Sequence, residues 1–418
     1  MYSIELSIFY IGICFFCIDK KYEGLFYKYK WYNFEIFMSY SFSIYQSIID
    51  LPVNWKEFLN ENEKVCNSID IVEKANVDNI KNYYVVTKEN DKMVYMSYYQ
   101  LLTVTPKHFN ISDKPLQKLG LYLLLKTIKP TMLVAGNLFR HDVLFFQVVD
   151  KNMSPAKIAA HYQATLDHMI KETDASGIFL KDVEKNIAPY ILKDLSYSPL
   201  QDDISMEMKI PADWTSMLDY EKMLKHKYAQ RYRKIKKAFH EVSVKEFSLQ
   251  EIEAHKTKIV DLYLQVSKKQ IVSMGIINDH FIIELKKALN NNYKVCGYFF
   301  ENELVAFSSA IEHDGEYDMN YIGFDYALNN QLHLYFNILF HCVEMAIAHK
   351  SSKLILGRTA IEAKAIAGCV PDYRFSFYKL RNNFVNWFFK KISSYFQEQQ
   401  GEAWKNRHPF KSEYYTSA

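Results

Sequence analysis

Arg358, Glu362 and Lys364 stand close together in the run Gly357-Arg358-Thr359-Ala360-Ile361-Glu362-Ala363-Lys364, which continues to Gly368. A guanidinium offers a planar fork of donors that grips a carboxylate or a phosphate. A carboxylate and an amine beside it supply groups that orient substrates or move protons. The spacing also allows a plainer account, since Glu362 lies four residues after Arg358 and the two could pair on one helix surface.

A second constellation is electrostatic. Lys or Arg occupies positions 222, 225, 227, 231, 233, 234, 236 and 237, and no acid falls within 222–237. Such a run is either a solvated face or, because like charges on neighbouring turns repel, a surface awaiting phosphate. Tyr228, Arg231, Arg233 and Lys234 are its candidate ligand-binding residues. Tyr317 and Tyr321, with Met319, fall on one side of an expected strand, where a phenol could protonate a leaving group or simply pack. His313, Asp314 and Glu316 read as turn residues, and His341 and His349 lack a spaced ligand partner. No metal site is expected.

The elements that must position these residues follow from periodicity. Around 293–300, 304–311 and 317–322 the pattern is an antiparallel meander, with a turn at Glu301-Asn302-Glu303. A helix over 328–349 is expected from Leu332, Phe336, Leu339, Val343 and Ile347, followed by a strand over 353–356 that would pair in parallel. Arg358 then emerges at the strand's C-terminal edge, where open sheets commonly place ligands. The same order occurs earlier: strands over 83–86, 93–104 and 131–135, a helix over 155–171 capped by Ser154-Pro155, and a strand over 178–180. Two copies of one α/β unit are the simplest account. Trp214 to Phe239 carry a single long helical stripe.

The two stretches Asp213-Trp214-x-x-x-Leu218-Asp219-Tyr220 and Lys227-Tyr228-x-x-Arg231-Tyr232-Arg233-Lys234, together with the 357–368 run, resemble one family. It is the GNAT-superfamily branch of FemAB-like aminoacyltransferases and proteins with a BioF2-like acetyltransferase domain. The likeness covers about residues 56–390 and is strongest over 213–371. It implies an α/β (α+β) chain of two tandem GNAT-like domains, each a mixed, mainly antiparallel sheet flanked by helices, with the second the better preserved. It further implies an N-acyltransferase in which Arg358, Glu362 and Lys364 are catalytic. Tyr228, Arg231, Arg233, Lys234, Gly323 and Gly357 would bind substrate or phosphate. In that fold the donor's phosphates rest on backbone N–H groups at 323–331, at a strand-to-helix turn. The glycine signature of small acetyltransferases is absent from this stretch. The co-substrate would be acyl-CoA or, on weaker grounds, aminoacyl-tRNA, with an amine acceptor and no tightly bound cofactor. The general base is not identified. The rival reading is a binding protein with two decayed domains that recognises a phosphate-bearing precursor.

Composition agrees with an ordinary globular chain: among 418 residues, 49% are hydrophobic and 24% charged, with a net charge of +3 that names no polyanionic partner. The cysteines form no ligand or disulfide framework, and Cys296 and Cys342 fit buried apolar positions, consistent with a reducing cytoplasm. Thirteen of the first 37 residues are Phe, Tyr or Trp. Residues 1–37 are expected to be a misplaced start, an anchor or an extra element; the apolar stretch 6–18 is too short to span a bilayer, and no integral membrane association is expected. Domains are expected over 38–205, the degenerate one, and over 206–395, which includes the basic helix 213–240. Residues 396–418 read as a polar tail.

Overall fold

The computed structural model describes residues 3–4, 16–17, 25–31, 34–53, 69–110, 115–140, 146–194, 197–200, 203–270, 272–382 and 403–417. Two-residue strands β1 (Ser3–Ile4) and β2 (Phe16–Cys17) pair with one another. The first unit then runs through β3 (Leu25–Trp31), β4 (Phe34–Tyr45), α1 (Ile71–Lys74), β5 (Ile80–Glu89), β6 (Lys92–Thr103), α2 (Pro115–Ile128) and β7 (Thr131–Ala135). It continues with β8 (Phe146–Val148), α3 (Pro155–Thr173), β9 (Gly177–Leu180), α4 (Ala188–Asp194) and β10 (Ser198–Pro199).

The second unit opens with β11 (Ile204–Lys209), α5 (Met217–Met223), α6 (His226–Ala238), β12 (Ser243–Glu246), α7 (Leu249–Ser267) and α8 (Phe281–Leu289). The meander β13 (Tyr293–Phe300), β14 (Glu303–His313) and β15 (Glu316–Phe324) leads to α9 (Tyr326–Leu332), α10 (Leu334–Ala348) and β16 (Lys353–Gly357). Then follow α11 (Ile361–Ala367), β17 (Val370–Tyr373), β18 (Phe377–Leu380) and, near the C-terminus, α12 (Ser412–Ser417).

These strands form a nine-stranded sheet, in which β10, β18, β9, β7, β6, β5, β4 and β3 are successive neighbours and β8 also pairs with β6, and a seven-stranded sheet ordered β12-β13-β14-β15-β16-β11-β17. The expected repeat is present in both. β5-β6-β7 and β13-β14-β15 are antiparallel meanders, and β7/β9 and β15/β16 are the parallel pairs that follow a helical crossover. The chain therefore folds as two tandem α/β units built on one plan. Even the hairpin turns share their chemistry. Asn90 and Asp91 have φ of 50° and 63°, and Glu301 and Asn302 have 50° and 65°, the left-handed pair that matches strand twist in a two-residue loop.

Each parallel pair is closed on its far side by an antiparallel strand from elsewhere. β11, from the segment between the units, lies beside β16, while β18, from beyond the second unit's helices, returns to lie beside β9. Residues 377–380, expected within the second domain, thus hydrogen-bond into the first sheet. Both faces of the second sheet are covered. Met206, Tyr298, Tyr317, Leu339 and Leu354 share one core with α5, α6 and α10. Val295, Phe307 and Ile311 share another with α7 and α8.

Three expectations need correction. The stripe from Trp214 to Phe239 is two helices, because Leu224 leaves the helix to form a β-bridge with Phe410. The terminal segment, expected as a polar tail, closes onto the second core over 403–417, with Phe410 fully buried and Tyr414 nearly so. Residues 25–31 and 34–37, expected to stand outside the fold, form strand at the edge of the first sheet, where β4 reaches β5 through residues 40–45. The rest of the leading segment, apart from β1 and β2, lies outside the described residues. Among the described residues, no helix is long and apolar enough to cross a membrane.

Candidate functional site

The site begins where two strands stop pairing. β15 and β16 are in register at Glu316↔Lys353, Tyr317↔Leu354 and Asp318↔Ile355, and there the parallel ladder ends. Beyond it β15 runs on through Phe324 against β14 alone, while β16 ends at Gly357. A bulge marks the parting: Asn320 and Tyr321 together oppose Ser309 of β14. The Ser309 hydroxyl accepts from the Tyr321 N–H at 2.9 Å and donates to the Tyr321 carbonyl at 3.1 Å, so the displaced backbone groups are satisfied. The bulge also reverses the alternation. Tyr317 and Met319 enter one core and Tyr321 packs against the other, so the three do not share a face as expected. Tyr321 donates from its hydroxyl to the Phe139 carbonyl of the first unit at 3.0 Å, which makes it a structural tyrosine at the seam.

The first unit shows what the parting adds. β7 and β9 pair from Met132↔Gly177 through Ala135↔Leu180, and the Lys181 N–H still reaches the Ala135 carbonyl at 3.0 Å. That parallel pair is zipped to its end and leaves no room between its strands.

In the second unit a cavity of about 710 Å³ fills the opening. Its walls are Met319 to Ile322 of β15, Leu356 to Ala360, Lys364 of α11, the end of α7 with the loop after it, and Leu138 to Arg140 of the first unit. Arg140, Lys181, Lys269, Arg358, Lys364 and Arg374 line it, and among the described residues no Asp or Glu does. Of these, Lys181, Arg358 and Arg374 are ion-paired with Asp182, Asp203, Glu207 and Asp372.

Arg358 and Lys364 meet at this cavity, and Gly357 with them, but Glu362 does not. Arg358 does not pair with Glu362. Its Nη2 binds Asp182 Oδ1, and its Nη1 lies 3.4 Å from Asp203 Oδ1, so it ties the second unit to the end of β9 and to the approach to β11. Glu362 faces outward and accepts from Arg407 Nη2 at 2.6 Å. Gly357 has φ of +78°, a left-handed conformation that favours glycine, and a Cβ there would come within 4.0 Å of Lys364 Nζ.

Lys364 is 1% exposed, and its Nζ has no hydrogen-bond or ion-pair partner among the described residues. Burial pushes the amine down to about 7, against the smaller upward pull of Cys369, Cys342 and Asp318. Lys181 is also held below its ordinary value by burial, but its Nζ bonds Asp182 Oδ2 at 2.6 Å and the Arg140 carbonyl at 2.8 Å. Two cavity atoms, Asn320 Oδ1 and Tyr335 Oη, are buried without hydrogen-bond partners among the described residues. Both escaped the sequence analysis. The bulge that presents Asn320 depends on Ser309 across the sheet. Tyr335 enters the wall because the expected helix over 328–349 breaks at His333, which has φ of 49° with no glycine or proline to announce it.

The expected phosphate-binding residues lie elsewhere. On α6, Ala229, Tyr232 and Ile235 are buried and the cations face outward. Arg231 lies over the Phe336 ring at 4.8 Å, Arg233 Nε bonds Glu221 at 2.6 Å, Lys234 is exposed, and Tyr228 packs partly against the core; none of them lines the cavity. Gly323 lies inside β15, where a Cβ would stand within 2.5 Å of the Leu262 carbonyl carbon and against the Tyr263 nitrogen. The close approach of α7 therefore accounts for this glycine. At the turn after β15, Asp325 caps α9 by accepting from the Ala327 N–H at 2.8 Å, so a carboxylate of the chain itself already occupies that helix end. Among the described residues no group of His, Cys, Asp and Glu could hold a metal ion.

No family model and no curated protein matches the chain. Among solved structures, it is similar to FemX at 8% identity over 80% of this chain and 98% of that one, with a TM-score of 0.46. It is also similar to a tandem GNAT protein from the clavulanic acid biosynthesis pathway, at 8% identity over 82% and 99%, with a TM-score of 0.48. L-PGS from Bacillus licheniformis is similar at 12% identity over 82% and 96%, with a TM-score of 0.44. These are likenesses in the course of the chain.

Proposed function

We propose that this chain is an N-acyltransferase that moves an acyl or aminoacyl group from an activated carrier, acyl-CoA or aminoacyl-tRNA, to an amine acceptor. The observation that carries the reading is the cavity at the parting of β15 and β16, lined by cations without a carboxylate and containing the unpartnered amine of Lys364. The resemblance of the 213–234 and 357–368 runs to FemAB-like transferases supports it independently. Anionic groups of the donor or acceptor would sit at the cavity wall beside Lys269. Arg358 holds the seam through Asp182 and Asp203, leaving its remaining donors for substrate.

The test is a thermal-shift panel of acyl-CoA and nucleotide ligands, because a ligand that binds the native state raises Tm. It is followed by measurement of thiol release when an amine is added. A stabilising donor together with amine-dependent thiol release is the expected result; a panel with neither speaks against an acyltransferase.

A second reading, a binding protein for a phosphate-bearing precursor, is favoured by one observation. The strand-to-helix turn that would cradle a donor's phosphates is capped by Asp325 and lacks a free glycine. Under this reading phosphate-bearing ligands stabilise the protein and no thiol is released.

A further inference from the structure

We infer that the ε-amino group of Lys364 is the general base of the transfer, taking a proton from the acceptor's ammonium inside the cavity. The inference rests on the acyltransferase reading above and adds the group that the sequence left unassigned.

An acceptor amine is an ammonium in neutral water and has no lone pair until a base removes a proton. No Asp or Glu among the described residues lines the cavity, and no His does. Arg140, Arg358 and Arg374 stay protonated. Lys181 is engaged by Asp182 and the Arg140 carbonyl, and Lys269 is exposed, over the Tyr326 ring at 5.6 Å. Burial raises the phenols of Tyr263, Tyr321, Tyr326 and Tyr335 and leaves all four as donors. Lys364 remains, an amine that is dry, unpartnered and open to the cavity across the bare Cα of Gly357.

Burial favours the neutral form against the opposing pull of its neighbours. Desolvation lowers it to about 7. The groups that bear on it are Asp318 of β15, Cys342 of α10 and Cys369 after α11. Both thiols are themselves kept protonated by burial. Arg358 beyond Gly357 is committed to Asp182 and Asp203, and Glu207 of β11 to Arg374 and Lys353. A base with a value near the working pH is half unprotonated there and still strong enough to take a proton.

Neutral Nζ takes one proton from the acceptor ammonium and becomes an ammonium. The freed lone pair forms the C–N bond at the donor's carbonyl carbon. As the tetrahedral intermediate collapses, the bond from that carbon to the carrier's sulfur or oxygen breaks. The leaving group takes the second proton of the attacking nitrogen, and Nζ returns its own proton to solvent.

Two measurements on the full chain test this. In the first, acetic anhydride labels lysines from about pH 6 to pH 10, and mass spectrometry follows the peptide containing Lys364. Half-maximal labelling near pH 7 is expected; labelling that rises only near 10.5, as for an ordinary lysine, overturns the inference. In the second, thiol release from acetyl-CoA is followed with glucosamine 6-phosphate, phosphoethanolamine and lysine as acceptors. For Lys364→Met the expected loss in kcat is about 10²–10⁴-fold with acetyl-CoA affinity retained, and wild-type kcat/KM rises with pH through about 7. Lys364→Arg, which keeps a charge but cannot accept a proton, should be as slow. Wild-type transfer that survives either substitution overturns the base assignment alone. No transfer by the wild type, even with Lys364 labelling near pH 7, overturns the acyltransferase reading and the base role with it.

Discussion

Arg358 of the second unit is ion-paired with Asp182 of the first, through the guanidinium that ends β16 and the carboxylate that follows β9 and Lys181. The pair joins the corresponding ends of the two repeats, because β9 and β16 are equivalent strands in their sheets. Asp203, only slightly exposed, is ion-paired with the same guanidinium at 3.4 Å and accepts from Ser376 Oγ at 2.5 Å. The residue singled out in the sequence as a substrate grip is a clasp between units.

This sets the first prediction. Arg358→Ala leaves Asp182 and Asp203 short of a partner and should cost roughly 1–3 kcal/mol of stability, less than a fully buried pair because the guanidinium is partly exposed. Arg358→Lys, which has a single charged end, cannot reach both carboxylates and should recover only part of the loss. A double-mutant cycle with Asp182→Asn measures the coupling. Glu362→Gln should fall within about 1 kcal/mol of wild type, since its contact with Arg407 is at the surface. Equal costs at the two positions would show that the seam pair is not structural.

The second prediction separates two sets of cations. Replacing Arg231, Arg233 and Lys234 with Gln alters the outer face of α6 and should leave coenzyme A affinity within about twofold at moderate salt. Lys269→Gln, at the cavity wall, should weaken the same ligand and lessen its dependence on salt. Isothermal titration at two ionic strengths decides between them. A large effect from the α6 triple variant would return phosphate binding to that helix.

Much of this organisation is legible in the sequence, and the missing part has a common cause. Asn90-Asp91 and Glu301-Asn302 announce their hairpins because the turn chemistry is local. Ser154 caps α3 by accepting from the Lys157 N–H at 3.3 Å, as its place before Pro155 implies. What is not legible depends on partners distant in the chain. The return of β18 to the first sheet leaves no periodic mark. Gly323 looks like a phosphate-loop glycine until α7 is seen lying across it. Arg358 and Lys364 belong to the cavity and Glu362 does not, because α11 turns its Lys364 side inward and leaves Glu362 to Arg407.

Gly323 provides the third prediction. A methyl group there meets the backbone of α7 at Leu262 and Tyr263, and a helix backbone cannot turn aside as a side chain can. Gly323→Ala should therefore destabilise the second unit by about 1–3 kcal/mol or more, seen as a lower Tm or lost soluble yield. A Gly323→Ala protein with wild-type Tm that binds coenzyme A less well would instead restore the phosphate role.

The last prediction concerns the cost of keeping Lys364 dry. Its folded value, about 7, lies below the ordinary 10.5. Below about pH 7 the amine is charged in both states, and the folded chain bears the full cost of burying an ammonium. Between there and 10.5 the unfolded chain binds more protons than the folded one, so stability contributed by this group rises with pH. Above 10.5 it is neutral in both states and the cost is gone. Lys364→Met, of similar length and without charge, should thus stabilise the protein most near pH 6, by on the order of 1–4 kcal/mol. The gain should shrink steadily as the pH approaches 10. Calorimetric melting of both proteins at intervals across that range gives the curve directly, with about 2–4 °C expected per kcal/mol for a unit of roughly 150–250 residues. A substitution that lowers Tm equally at every pH would mean that the amine makes contacts the fold needs, and Lys364 would then be a structural lysine. A Tm gain that fades with rising pH, joined to lost turnover, is the signature of a group kept at a cost in stability because the chemistry uses it.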